Sequence, residues 1–168
     1  MINSKPNKSD KYHQGLFVPQ NPDKIIKLNK DGGLYYRSSW ELKLMRYFDL
    51  NDKIVRWAAE YVSIPYELTE IMNNGDIRRS THTYYPDFYY ELRRSDGDVA
   101  QVVCEVKPYS ETIEPKIPMN PTLKQVRNFE YAKKMLNINL HKWNESIDYC
   151  RKRGMEFVIA TEVYLNNI

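Results

Sequence analysis

Two aromatic, β-branched runs joined by a short polar turn dominate the middle of this chain. The first is Thr81–Leu92 (THTYYPDFYYEL) and the second Val99–Pro108 (VAQVVCEVKP). Such residues favour strands because they pack well on a pleated, half-buried surface. Between them stands RRSDGD, whose Asp96-Gly97 pair suits the positive φ values of a tight hairpin. The runs therefore predict neighbouring antiparallel strands at the heart of a sheet. Pro86 interrupts the first run and predicts a bend, bulge or edge there.

The flanks predict helices. After Lys30-Asp31-Gly32-Gly33, the residues Trp40, Leu44, Tyr47 and Phe48 fall on one face at helical spacing. Ser38 can cap that helix, and Glu41 stands three residues on, in capping-box position. Strands are predicted near 54–57 and 61–67, followed by a turn-rich connection containing Asn74-Gly75. Pro115, Pro118 and Pro121 mark residues 109–121 as a loop. Two helices should follow. One is capped by Thr122 and runs to Leu136, and the other spans roughly Leu140 to Arg153 and ends at Gly154. EFVIATEV, beginning at Glu156, reads as a last strand. The order α-β-β-β-β-α-α-β predicts an α/β (α+β) fold, a mixed central sheet flanked by helices. Residues 1–30, polar and without period before Ile25, read as an extended arm, leaving 31–168 as one domain.

Composition narrows the function. With 168 residues, 42% hydrophobic and 28% charged, the chain is neither disordered nor fibrous. No apolar run approaches the ~18 residues of a membrane span, so no membrane partner is expected. The first residues lack the apolar segment of a secretory signal. Cys104 and Cys150 share no metal or disulfide spacing, which fits a reducing cytosol. The net charge is +3, yet residues 1–30 carry +4 and the remainder −1. A basic arm suits an acidic partner such as nucleic acid, or is simply a soluble tail.

The residues that could carry chemistry lie on the two central strands. In a strand, i and i+2 share a face, so Glu105 and Lys107 project together while Cys104 and Val106 turn towards packing. A hairpin at Asp96-Gly97 would bring Asp87 close to Glu105. Two adjacent carboxylates repel unless a cation lies between them. Oxygen donors with open water positions suit Mg²⁺ or Mn²⁺. Such a cation polarises a phosphate oxygen and acidifies water, and a neighbouring lysine stabilises phosphate charge. Three acid-x-Lys matches occur: Glu41/Lys43, Glu105/Lys107 and Glu114/Lys116. Only Glu105/Lys107 ends an apolar strand and follows a Pro-Asp strand across a hairpin. A solvated cross-strand pair remains the alternative reading of the spacing.

RSSWE on a helix, YYPDF on a strand and CEVKP on the next strand resemble, in that order, the PD-(D/E)xK nuclease superfamily. The run from Tyr35 to Pro108 is similar to TnsA-type transposon endonucleases and phage junction-resolving endonucleases, and most of all to head-completion nucleases of tailed bacteriophages. The resemblance spans about residues 25–165 and implies a restriction-endonuclease-like core. It implies catalytic roles for Glu41, Asp87, Glu105 and Lys107, with metal ligation by Glu41, Asp87, Glu105 and the Val106 carbonyl. Glu41 would act directly or through water, or would serve only as a capping-box residue. Lys124 and Gln125, at the start of the following helix, occupy a region where some superfamily members touch DNA or the site. For grip on double-stranded DNA, Arg78 and Arg79 in the loop before the Asp strand are candidates, with Lys116, Lys124, Gln125 and Arg127. Positive groups around a cleft track phosphates without reading bases. His82 could serve as a further donor near the site, or as a structural residue.

The resemblance further implies a Mg²⁺-dependent deoxyribonuclease, endo- or exonucleolytic, trimming or cutting packaged DNA before head-tail joining. It places the chain in the host cytoplasm or within the virion, with head, portal or neck proteins reached through the N-terminal arm. Two other readings stay open at this level. One is a neck or head-vertex adaptor on a nuclease-like fold. The other is a junction-resolving or transposon-type endonuclease.

Overall fold

The computed structural model describes residues 3–6, 13–72 and 74–168. The Lys8 and Lys11 portion of the arm's charge lies outside the described residues. The fold is α+β, built around a four-stranded mixed sheet. In chain order the elements are β1 (Gly15–Phe17), β2 (Leu34–Tyr36), α1 (Ser39–Leu50), β3 (Ile54–Ala59), β4 (Ile64–Ile71), β5 (Ile77–Tyr84), β6 (Phe88–Arg93), β7 (Val99–Val106), α2 (Leu123–Arg151), β8 (Glu156–Ala160) and α3 (Glu162–Leu165). The central sheet runs β3-β6-β7-β8. Its β3-β6 and β6-β7 pairs are antiparallel, and β7-β8 is parallel. The parallel pair follows from α2, whose length lets the chain cross one face and return in the same direction.

The predicted hairpin forms. β6 and β7 pair from Phe88↔Cys104 to Arg93↔Val99, with Gly97 at φ 93° in the turn. Pro86 does more than bend a strand. It separates two sheets, so THTYYPDFYYEL is not one strand. Ile77–Tyr84 pairs with β4 in a separate ribbon, whereas β6 begins at Phe88. The ribbon's two strands also extend further towards Asn74-Gly75 than predicted.

Both faces of the central sheet are covered, which buries Phe88, Tyr89, Tyr90 and Glu91 of β6 and Val102, Val103, Cys104 and Glu105 of β7 without a break. On one face α1 packs Leu44, Met45 and Phe48 against Trp57, Phe88, Tyr90, Val102 and Cys104. On the other, Val103 and Tyr89 meet Ile64, Tyr66, Leu68 and Tyr84 of the ribbon and Cys150 of α2.

Two further expectations are corrected. The two predicted helices are a single helix of 29 residues, α2. Leu136, Asn139, Trp143, Ser146 and Cys150 recur every three or four residues along one buried stripe. That continuous packing carries the helix through Asn137 and Asn139. The N-terminal arm is not featureless before Ile25. β1 pairs with β2, and Ile25 bridges Trp57 at the outer edge of β3. A strand edge left open would template association, and the arm covers this one. The last predicted strand stops at Ala160, and α3 begins at Glu162.

Candidate active site

The site forms where β6, β7 and β5 end together. Asp87 immediately precedes β6, and the β6-β7 register continued by one position sets it opposite Glu105. Val106 donates its backbone N–H to Asp87 Oδ2 at 2.7 Å. The Asp87 carbonyl accepts the N–H of Glu60 at 3.0 Å. Asp87 is thus fixed at both backbone and side chain.

Glu105 is buried, 5% exposed, on the face that looks towards the ribbon and α2. Its Oε2 accepts the Tyr84 hydroxyl at 2.5 Å, while Oε1 lies 3.4 Å from Lys107 Nζ. Tyr84 therefore locks one carboxylate oxygen and leaves the other facing the lysine. Cys104 lies buried in the opposite layer, as strand alternation predicts.

Electrostatics follow from this crowding. Burial, then the charges of Glu105 and Glu41, push the Asp87 carboxyl well above the usual aspartate range, against the pull of the Val106 N–H and Lys107. Burial alone would lower Lys107, but Glu105, Asp87 and Glu111 outweigh it and hold the ammonium firmly charged. The Tyr84 hydroxyl stays protonated because it is buried beside Glu105. Two buried carboxylates that share a single lysine offer oxygen donors only, the kind a hard divalent cation takes.

Glu41 differs from the other acids. Its Oε1 accepts the Ser38 hydroxyl at 3.0 Å and its Oε2 the Arg37 N–H at 2.9 Å. Both oxygens are thereby engaged at the start of α1. Its charge still reaches Asp87. Burial, offset by the Arg37 and Ser38 hydrogen bonds, raises its pKa. Among the described residues no three His, Cys, Asp or Glu side chains converge closely enough to form a metal centre by themselves. Both Glu41 oxygens are thus engaged by the start of α1, the capping role that stood beside direct or water-mediated metal ligation.

The remaining candidates lie on other elements. Arg78 and Arg79 lie on β5 rather than in a loop, and both are exposed. Lys116 is exposed in the loop after β7, and Lys124 and Arg127 are exposed in the first turns of α2. Gln125 closes a capping box with Thr122, accepting its N–H at 2.8 Å, so its side chain is occupied by the helix start. His82 pairs with Ser80 at 2.8 Å and stacks on Tyr66.

Three neighbours escaped the sequence reading. Tyr84 had no signal beyond being one tyrosine among fourteen. Glu60 adopts φ 49°, forms a 2.6 Å ion pair with Arg37 and keeps Oε2 buried without a partner among the described residues. Lys142, from the middle of α2, places its ammonium over the Tyr84 ring. The i, i+2 logic finds partners on one strand, but not residues that tertiary packing delivers from elsewhere.

The TnsA-like endonuclease N-terminal family matches residues 51–162, a span that holds Asp87, Glu105, Lys107 and Lys142 but not Glu41. The head completion nuclease of Enterobacteria phage T4 is 29% identical over 150 residues, covering 89% of this chain and 91% of that protein. No solved structure matches the chain. The order of motifs, the mixed sheet and this match agree: the chain belongs to the TnsA-like endonuclease N-terminal family and is a nuclease of the PD-(D/E)xK kind.

Proposed function

We propose that this nuclease hydrolyses phosphodiester bonds of double-stranded DNA with Mg²⁺, or Mn²⁺, bound by Asp87, Glu105 and the Val106 carbonyl. The observation that carries the reading is the Asp87–Glu105–Lys107 cluster. Two carboxylates meet across one hairpin, one oxygen of each is anchored by a hydrogen bond, and a lysine lies 3.4 Å from one of them. The bound cation would polarise the phosphate and acidify water. The chain's own groups do the rest. Val106 N–H orients Asp87, and the Tyr84 hydroxyl orients Glu105. Lys107 positions the attacking water or stabilises charge on the phosphate. Glu41 acts through water, since its own oxygens cap α1. Arg78, Arg79, Lys116, Lys124 and Arg127 supply phosphate contacts without base readout.

The biological setting we propose is completion of a phage head, by cutting or trimming packaged DNA before the tail joins. The support is the relation to the T4 protein over nine-tenths of both chains. Head, portal or neck proteins would be its partners.

Closed-circular and linear duplex DNA should be incubated with and without Mg²⁺. Cleavage that requires the cation and disappears in Asp87→Ala, Glu105→Ala and Lys107→Ala proteins is expected. Full activity of a folded Asp87→Ala protein would refute the assignment. Cutting of the circle marks endonuclease action, and attack on the linear form alone marks end-trimming.

A further inference from the structure

Lys142 is the cation at this site for which the reading above has no use. It sits on the buried half of α2, its side chain half-buried between helix and ribbon. Its Nζ is 5.3 Å from the Tyr84 ring centroid and 5.9 Å from that of Tyr66. Tyr84 in turn donates to Glu105, so one aromatic ring separates Lys142 from the carboxylate pair. The charges of Glu105 and Asp87 attract Lys142 and that of Lys107 repels it, so its ammonium lies within electrostatic reach of the carboxylate pair. Their circumstances differ. Lys107 is paired with Glu105, whereas no carboxylate lies within ion-pair distance of Lys142 among the described residues. Burial lowers its pKa, the mark of an ammonium short of compensation. Ring faces stabilise such a cation by about 0.5–2 kcal/mol, less than a full counter-ion would in a desolvated place.

We infer that Lys142 is a substrate-binding residue whose ammonium holds a phosphate of the cleaved DNA strand, across the pocket from Lys107. The inference rests on the nuclease reading for the identity of the anion. It is supported by the surface that leads to the lysine. Arg78, Ser80, His82 and Tyr84 alternate along β5 on one face, and the polar, partly basic stripe they form ends at Tyr84. A nucleic-acid backbone following that stripe arrives beneath the Lys142 ammonium. The ammonium already rests over two ring faces, so little side-chain freedom is lost when the phosphate binds.

The bland alternative is that Lys142 only pins α2 to the ribbon. Lys142→Met keeps the aliphatic stem and removes the charge, and Lys142→Arg keeps the charge. Affinity for a labelled duplex should be measured without divalent metal across a salt series, and cleavage kinetics with Mg²⁺, alongside thermal unfolding. Loss of one phosphate contact lowers the slope of log K against log salt by about 0.9. Lys142→Met should show that drop and at least a tenfold loss of kcat/KM. Lys142→Arg should stay within about threefold of the parent, and Lys152→Ala, at the exposed end of α2, should match the parent. An unchanged slope and unchanged kinetics in a folded Lys142→Met protein would overturn the inference, as would equal losses in the Met and Arg variants. The binding arm needs no catalysis. A parent protein that never cuts, yet whose slope falls in Lys142→Met, would remove the nuclease reading and leave the phosphate contact standing.

Discussion

At the scale of single residues, Asp87 shows how a site can be built at the expense of stability. Its carboxyl is pushed well above the ordinary range by burial and by two neighbouring acids. Between the unfolded and folded pKa values the native state therefore holds more protons than the unfolded one. Stability then falls as pH rises through that window. Asp87→Asn removes the charge and preserves an acceptor for the Val106 N–H. It should unfold at a higher temperature than the parent at neutral pH without metal. An effect of about 1 kcal/mol corresponds to roughly 2–4 °C at this chain length. A lower melting temperature would contradict the electrostatic account. Tyr84 makes a second test. Removing a hydrogen bond that orients a ligand costs about 10–100-fold in metal affinity. Tyr84→Phe should thus need at least tenfold more Mg²⁺ for half-maximal cleavage, beside the fall in melting temperature that losing one hydrogen bond to a buried carboxylate brings, and an unchanged Mg²⁺ requirement would deny Tyr84 that role. Asp87, Glu105 and Lys107 were legible in the sequence because strand alternation and a hairpin turn are local rules. Tyr84, Glu60 and Lys142 were not. Each reaches the site through a ribbon, a left-handed residue or a long helix that only tertiary contacts place.

Among elements, the pairing of β3 with β6 rests partly on Arg56 and Glu91, which face each other in the register with a 2.8 Å Nε–Oε2 contact. The Arg56 hydrogen bond holds Glu91 below the usual glutamate range despite burial, and the Tyr89 hydroxyl, 2.8 Å away, adds to the effect. For a lowered carboxylate the sign reverses. The contribution is present above the unfolded pKa and is lost as pH falls through the folded one. Glu91→Gln should flatten the acid limb of a stability–pH profile and leave the neutral region less stable. A parallel profile, with the same loss at every pH, would show that ionisation of Glu91 adds no pH-dependent stability. Helices and strands with short-range signatures were legible: the capped α1, the β6-β7 hairpin and the Gly154 stop after α2. The division of one aromatic run between two sheets was not. Pro86 signals a break, but the sheet each half joins is set by partners elsewhere, β4 for the first half and β3, about thirty residues back or more, for the second. The Asn137–Asn139 stretch misled for a similar reason, since a buried stripe overrides weak helix propensity.

For the molecule as a whole, the arm determines what a truncation experiment can mean. Asp49 is 1% exposed in the last turn of α1, where the helix dipole disfavours an acid. It accepts the N–H groups of Gln20 at 2.8 Å and Asn21 at 3.0 Å. Phe17 packs on Trp57 with ring centroids 6.1 Å apart, and Ile26 donates its N–H to the Trp57 carbonyl at 2.9 Å. Charge patterning marked residues 1–30 as a separate arm, because single-sequence periodicity cannot see a strand whose partner lies twenty residues on. Deleting residues 1–24 leaves Asp49 buried without its donors and uncovers Phe17's place on the core. Hydrogen bonds to charged groups contribute about 1.5–3 kcal/mol each, so the deletion should cost at least about 3 kcal/mol. Lost DNA binding in that protein would reflect unfolding. Replacing Lys5, Lys8 and Lys11 with Gln separates the two causes, since it removes three charges and leaves β1, Gln20 and Asn21 in place. If the arm's charge touches DNA, this variant should melt within about 1 kcal/mol of the parent while its salt slope falls by about 2–3. An unchanged slope with unchanged melting would assign the arm to holding the sheet edge, and leave the grip on DNA to β5 and the start of α2.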